Sequence, residues 1–131
     1  MKCDPKTDDA ANVHNRVLLV EDEVLIRMDV ADTLRTRGWH VVEAGTVRDA
    51  LDALASSQFD VVLTDVHMPG GLTGVDLARI VKREKSSVAV VVMSGLHKPA
   101  IDEGDLFDAF LTKPAFRIAE VLKQVLESKR R

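Results

Sequence analysis

The chain has 131 residues, enough for one domain around a single hydrophobic core. Its composition, 46% hydrophobic and 30% charged, is that of an ordinary globular protein. A net charge of −3 offers no basic surface for nucleic acid, and no apolar run approaches the roughly 20 residues that a membrane-spanning helix needs.

The chain begins and ends in polar segments. We interpret residues 1–15 as a flexible tail, residues 16–128 as the domain and residues 129–131 as a basic end. The single cysteine, Cys3, lies in the tail and has no partner for an internal disulfide bond, which is consistent with a reducing cytoplasm. The sequence contains no CxxC or HExxH pattern, so a zinc site is not expected.

Apolar runs recur along the chain and predict five buried strands. The run Val61–Leu63 suits a strand covered on both faces, and the turn residues Pro69 and Gly70 end it shortly after Asp65. Trp39 is interpreted as a packing residue at the start of its strand. The predicted strands are Arg16–Val20, Trp39–Glu43, the run that ends near Asp65, the run that contains Val88–Val92 and ends at Ser94-Gly95, and Ala109–Thr112.

The segments between the strands carry apolar residues at helical spacing. Ile26, Val30 and Leu34 give the first helix a buried stripe, and Gly38 is its predicted C-cap. The predicted helices run from about Val24 to Arg37, from Thr46, from Thr73, and from about Phe116 to Ser128. Strands that alternate with helices predict a parallel sheet with right-handed crossovers and helices on both faces.

Three finer features belong to these helices. Thr46 and Asp49 form an approximate capping box at the start of the second helix. Between residues 96 and 105 there is room for only a short fourth helix, because Pro99 and Gly104 interrupt the pattern. The last helix is expected to turn four apolar residues inward: Ile118, Val121, Leu122 and Val125.

Five residues with acidic, hydroxyl or amine side chains lie at the carboxyl ends of the first, third, fourth and fifth predicted strands. They are Glu21, Asp22, Asp65, Ser94 and Lys113. Ligands of open parallel sheets bind at the carboxyl ends of the strands, so we expect these groups to converge. Three carboxylates and one ammonium leave a charge of −2, and a divalent cation relieves the repulsion. Oxygen ligands favour Mg²⁺.

A carboxylate beside Mg²⁺ and a lysine is suited to attack phosphorus, since both cations offset the charge of a transferring phosphoryl group. The Ser94 hydroxyl is able to donate a hydrogen bond to a phosphoryl oxygen. The simpler interpretation is an Asp65–Lys113 ion pair, with the other acids capping the first helix. The clustering of five such groups at one sheet edge favours the functional interpretation.

Four motifs, taken together and in order, resemble one family. They are Val20-Glu21-Asp22-Glu23, Asp65-Val66-His67-Met68-Pro69-Gly70, Met93-Ser94-Gly95 and Phe110-Leu111-Thr112-Lys113-Pro114. The sequence over about residues 16–128 is similar to the receiver domain of bacterial two-component response regulators, the CheY-like family. The resemblance implies a flavodoxin-like, doubly wound sheet of five parallel strands in the order 2-1-3-4-5.

The resemblance also implies a role for each site residue. Asp65 is the phosphoacceptor. Glu21, Asp22, Asp65 and the backbone carbonyl of His67 hold Mg²⁺, and Lys113 contacts the phosphoryl group. Such a domain is a signalling switch in the cytoplasm, catalysing only its own phosphotransfer and dephosphorylation.

The resemblance further implies a switch and its partners. Ser94 is the switch hydroxyl and Phe110 the switch aromatic. The donor is a histidine kinase or a histidine phosphotransfer protein. The target is a protein that binds the face made by the short fourth helix, the fifth strand and the last helix. The domain is expected to be a monomer or weak dimer, without nucleic acid or membrane partners.

The sequence departs from the family pattern at three places. The turn after Asp65 is one residue longer, the stretch between Ser94 and Lys113 is about one helical turn shorter, and no effector sequence follows the last helix. A stand-alone form acting through protein contacts is therefore expected. A pseudo-receiver that binds partners without phosphorylation is the main alternative. A Mg²⁺-dependent phosphatase is less favoured, because His67 replaces the second acid that it needs.

Overall fold

The computed structural model describes residues 15–95, 106–113 and 117–129. These ranges contain five strands and four helices. The strands are β1 (Arg16–Val20), β2 (His40–Ala44), β3 (Val61–Asp65), β4 (Ala89–Ser94) and β5 (Ala109–Thr112). The helices are α1 (Val24–Thr36), α2 (Val47–Ser56), α3 (Gly74–Glu84) and α4, the last helix (Ile118–Lys129).

All neighbouring strands pair in parallel, in the order β2-β1-β3-β4-β5. The predicted sheet and strand order are therefore confirmed. The register pairs Val20 with both Ala44 and Thr64, and Asp65 with Met93. These pairings bring the carboxyl ends of the central strands to one edge, where the polar side chains follow them.

The sheet has a hydrophobic core on each face. Alternate residues of β1 point in opposite directions, so that Val17 and Leu19 pack beneath α1 and α4 while Leu18 and Val20 pack beneath α2 and α3. All four are fully buried. The unbroken apolar runs of the sequence thus reflect strands covered on both faces.

Some element boundaries differ from those predicted. β2 begins at His40 rather than Trp39, because the N–H of Trp39 donates to the Leu34 carbonyl (3.1 Å) and so completes the end of α1. The Trp39 ring is buried, as predicted. Gly38 follows α1 with a φ of +90°, the conformation expected of a C-terminal glycine.

The complete capping box is at α3, not at α2. Thr73 accepts a hydrogen bond from the Asp76 N–H (3.2 Å), and Asp76 accepts one from the Thr73 N–H (2.9 Å). At α2, Thr46 accepts from the Asp49 N–H (3.0 Å), which is half of the arrangement.

The buried stripe of α4 (Ile118–Lys129) lies slightly off the predicted one. Ile118 and Leu122 are buried as expected, but Val121 and Val125 are only half-buried. Ala119 and Leu126 are buried instead, since the stripe follows the helical period onto the neighbouring positions.

Several predictions fall outside the described residues: those for Cys3 and the tail up to residue 14, for the short fourth helix within 96–105, for residues 114–116, and for the basic end at 130–131. Among the helices of the described ranges, none combines the length and apolar character needed to cross a membrane.

Candidate functional site

The five predicted site residues lie at the carboxyl ends of their strands. Glu21 and Asp22 follow β1, Asp65 is the last residue of β3, Ser94 is the last residue of β4, and Lys113 follows β5. The N–H of Lys113 donates to the Ser94 carbonyl at 2.9 Å, which ties the end of β5 to the end of β4.

Lys113 joins two of the acids across the sheet. Its Nζ lies 2.5 Å from Oε1 of Glu21 and 3.2 Å from Oδ2 of Asp65. The Glu21 side chain is completely buried, and those of Asp65 and Lys113 are 12% and 19% exposed. An ammonium group is therefore held between two carboxylates, one directly after β1 and the other at the end of β3.

Burial and pairing act against each other at this ion pair. Burial raises the pKa of Glu21, and the hydrogen bonds from Lys113 and from the Glu23 N–H only partly offset that increase. For Lys113, burial lowers the pKa, but the hydrogen bond to Glu21 and the charges of Asp65 and Glu21 outweigh burial and leave the pKa raised. Lys113 therefore stays charged at neutral pH.

Three carboxylates lie close enough to share one cation. Each of Glu21, Asp22 and Asp65 contributes one oxygen, and these oxygens lie within 4.8 Å of one another. The Asp22 side chain is exposed. With Lys113, the formal charge of this acidic pocket is −2, and the donor set consists of carboxylate oxygen. Both properties fit a hard divalent cation such as Mg²⁺.

The Glu21 carboxylate is fixed by the protein itself. Its Oε1 accepts from Lys113, and its Oε2 accepts from the Glu23 N–H at 3.1 Å. Its position is therefore set before any cation binds. Asp65 is also paired with Lys113, whereas the Asp22 side chain is exposed.

Thr64 and Gly74, which the sequence pattern does not single out, both contact the backbone carbonyl of Asp65. The Thr64 hydroxyl donates to the Asp65 carbonyl at 2.9 Å. A Cβ atom on Gly74 would lie 2.0 Å from the same carbonyl oxygen, so only glycine allows α3 to begin there. A glycine at the first position of a helix, directly after a capping threonine, was the signal available for Gly74.

The remaining predicted residues differ in how deeply they are buried. His67 is exposed, two residues beyond β3. Ser94 is buried, with 1% of its surface exposed. Phe110 pairs with Val92 in the sheet and packs, half-buried, against the core beneath α2 and α3.

Comparison with known proteins gives matches over most of the chain. The family model of the response regulator receiver domain matches residues 17–126. The transcriptional regulatory protein PdtaR of Mycobacterium tuberculosis is 36% identical over 126 residues, covering 92% of this chain and 60% of PdtaR. The sensor kinase CckA of Brucella abortus is 33% identical over 118 residues, covering 85% of this chain and 12% of CckA. This chain thus spans less than two thirds of either relative.

The solved structure of the chemotaxis response regulator CheY4 of Vibrio cholerae is similar in fold and sequence. It is 30% identical, with a TM-score of 0.70, and the match covers 87% of this chain and 97% of CheY4. The strand order 2-1-3-4-5 and the helices on both faces are those of the flavodoxin-like receiver fold. The chain belongs to the response regulator receiver domain family of bacterial two-component signalling.

Proposed function

We propose that this receiver domain accepts a phosphoryl group on Asp65 from a phosphohistidine of a histidine kinase or a histidine phosphotransfer protein. The observation that carries the proposal is the position of the Lys113 ammonium, 3.2 Å from Asp65 and 2.5 Å from Glu21, beside three clustered carboxylates. This arrangement offers a nucleophilic carboxylate together with positive charge for the transferring group.

Mg²⁺ is the proposed cofactor. Glu21, Asp22, Asp65 and the backbone carbonyl of His67 would hold it, with Glu21 the member already fixed by Lys113. When bound, the ion supplies positive charge that offsets the negative charge of the transferring phosphoryl group. The all-oxygen acidic pocket and its formal charge of −2 support this assignment.

The transfer is a simple substitution at phosphorus. A carboxylate oxygen of Asp65 forms the new bond to phosphorus as the bond from phosphorus to the imidazole nitrogen of the donor breaks, and the imidazole then takes up a proton. Lys113 keeps its charge throughout and pairs with the phosphoryl oxygens. Water later hydrolyses the aspartyl phosphate, which returns the Asp65 carboxylate and inorganic phosphate.

Phosphorylation acts as a two-state switch in this proposal. The Ser94 hydroxyl donates to a phosphoryl oxygen, and Phe110 moves from its half-buried position into the space that Ser94 leaves. Turning such an equilibrium from 1:99 to 99:1 takes about 5.5 kcal/mol. Two or three charge-assisted hydrogen bonds, at about 1.5–3 kcal/mol each, supply that amount. The target is a protein, bound at the face that includes β5 and α4.

Asp65→Asn tests the acceptor, because the amide is a poor nucleophile of the same size. Incubated with a ³²P-labelled histidine kinase and Mg²⁺, the wild-type domain should take up the label and Asp65→Asn should not. Asp52→Asn, which changes an exposed acid on α2, is the matched control and should be labelled like the wild type. Equal labelling of Asp65→Asn and the wild type would remove Asp65 as the acceptor.

The pseudo-receiver alternative makes a different prediction. A domain that never uses its acidic pocket should bind its partner equally well with and without beryllofluoride, a mimic of the phosphoryl group. The proposed switch requires partner affinity to change when beryllofluoride and Mg²⁺ are added. An unchanged affinity would favour the alternative.

A further inference from the structure

The peptide that joins Glu21 to Asp22 lies beyond the end of the β1 ladders. The paired residues of β1 end at Val20, both with β2 and with β3. The N–H of Glu21 still donates to the Ala44 carbonyl at 3.0 Å. The Glu21 carbonyl accepts a hydrogen bond from a side chain, Arg27 Nη1, at 2.9 Å. Arg27 thus supplies the donor that a further strand residue would otherwise provide.

Arg27 is itself held in place from the side of β2. Its Nε lies 3.3 Å from Oε1 of Glu43, whose Oε2 lies 3.0 Å from Arg35 Nη1. A Cβ atom on Gly45 would lie 3.1 Å from Arg27 Nη1, so the glycine leaves the guanidinium its space. The planar guanidinium fork contacts a carbonyl and a carboxylate at once, which a lysine ammonium does poorly.

We propose that Arg27 is a positioning residue for the cation site, an inference that rests on the proposed function. By holding the Glu21 carbonyl, Arg27 fixes the peptide from which Asp22 projects. Asp22 depends on this support because its side chain is exposed, whereas the Glu21 carboxylate is fixed separately by Lys113 and the Glu23 N–H. Residues that orient metal ligands without touching the metal commonly account for about 10–100-fold in affinity.

The test compares two arginines of α1 that share the same partner, Glu43. Arg27→Gln removes the hydrogen bond to the Glu21 carbonyl. Arg35→Gln removes a bond to Glu43 and one to the Val41 carbonyl (3.0 Å) but leaves Glu21 untouched. Mg²⁺ is titrated into each protein without a phosphodonor and followed by backbone amide chemical shifts. Arg27→Gln should bind Mg²⁺ at least about 10-fold more weakly, and Arg35→Gln should differ from the wild type by less than about 2-fold.

Urea unfolding in EDTA separates a positioning role from a structural one. Both variants lose an ion pair with Glu43, so both lose some stability, but only Arg27→Gln should also lose Mg²⁺ affinity. An equal loss of affinity in the two variants would make Arg27 a structural residue and overturn the proposal. Wild-type affinity in Arg27→Gln would overturn it as well.

If Arg27→Gln does not fold, Arg27→Lys is used for the same Mg²⁺ titration. It keeps the positive charge but lacks the guanidinium fork, so it should bind Mg²⁺ at least about 3-fold more weakly than the wild type. Wild-type affinity in Arg27→Lys would overturn the proposal.

The same Mg²⁺ titration of Asp65→Asn distinguishes a failure of the proposed function from a failure of the proposed role of Arg27. If the wild type did not bind Mg²⁺, or if Asp65→Asn bound it equally well, the proposed function would be wrong and Arg27 would have no cation site to order. If Mg²⁺ bound to the wild type, was lost in Asp65→Asn and was unchanged in Arg27→Gln, only the role of Arg27 would be wrong.

Discussion

The ion pair between Lys113 and Glu21 is expected to contribute to the stability of the fold as well as to the proposed function. Glu21 is fully buried, and its Oε1 lies 2.5 Å from Lys113 Nζ. A buried carboxylate without a partner is costly, so the ion pair of the proposed phosphoryl site also connects the end of β5 to the end of β1. Changing either residue is therefore expected to affect both properties.

Lys113→Met tests this coupling. It leaves the Glu21 carboxylate buried without its ammonium partner, so the free energy of unfolding should fall by about 2 kcal/mol. Lys129→Met is the control, because the pair that Lys129 makes with Asp108 is longer (3.6 Å) and more exposed; it should cost less than about 1 kcal/mol. Urea denaturation without Mg²⁺ measures both changes, and equal losses would argue against a special role for the buried pair.

At the scale of elements, the start of α3 is built against the site. Gly74 begins this helix in contact with the Asp65 carbonyl, and the Thr73–Asp76 capping box fixes the residue before it. The position of the proposed phosphoacceptor therefore depends on how this helix begins.

Gly74→Ala should disturb that contact. The added Cβ would lie 2.0 Å from the Asp65 carbonyl oxygen, so either α3 or the end of β3 must move, at a cost of about 1–3 kcal/mol. In Gly95→Ala the new Cβ would approach Lys113 Cβ at 3.7 Å, an ordinary contact, and stability should change by less than about 1 kcal/mol. Thermal unfolding of both variants measures the difference. A stable Gly74→Ala would mean that the α3 contact is not restrictive.

Thr73→Ala should destabilise α3 by about 1 kcal/mol, because it removes the side-chain oxygen that caps the helix. Thr36→Ala, an exposed change at the end of α1, should have a smaller effect. Urea denaturation compares the two, and an equal loss would contradict the assignment of a stabilising capping box to Thr73.

The sequence predicted the strands, and the meeting of polar groups at one sheet edge, better than it predicted the contacts that hold those groups in place. Unbroken apolar runs identify strands buried on both faces, and the polar residues at their ends identify the sheet edge at which Glu21, Asp65 and Lys113 lie together. Arg27 and Thr64 act through backbone carbonyls, and nothing in their local pattern distinguishes them from ordinary helix and strand residues. Their contacts exist only after distant segments have folded together.

At the scale of the whole molecule, folding of the parallel sheet brings together charged side chains that are far apart in the sequence. Carboxylates from β1 and β3 come within 4.8 Å of one another, and Lys113 from the end of β5 offsets one of them. The fold therefore carries a local concentration of negative charge that a bound divalent cation would offset.

Mg²⁺ should stabilise the wild type and not Asp65→Asn. At a concentration 100 times its Kd, a ligand that binds only the folded state adds about 2.7 kcal/mol to the free energy of unfolding. This increase in the free energy of unfolding should disappear when EDTA is added, because EDTA removes the Mg²⁺. Equal stabilisation of both proteins by Mg²⁺ would place the cation elsewhere.

The most direct measurement identifies the phosphorylated residue itself. Protein phosphorylated by a histidine kinase is reduced with sodium borohydride, which converts an aspartyl phosphate into homoserine, and is then digested and sequenced by mass spectrometry. We predict homoserine at position 65 and at no other aspartate. Homoserine elsewhere, or an unchanged Asp65 in protein that carries the phosphoryl group, would contradict the assignment of Asp65 as the phosphoacceptor.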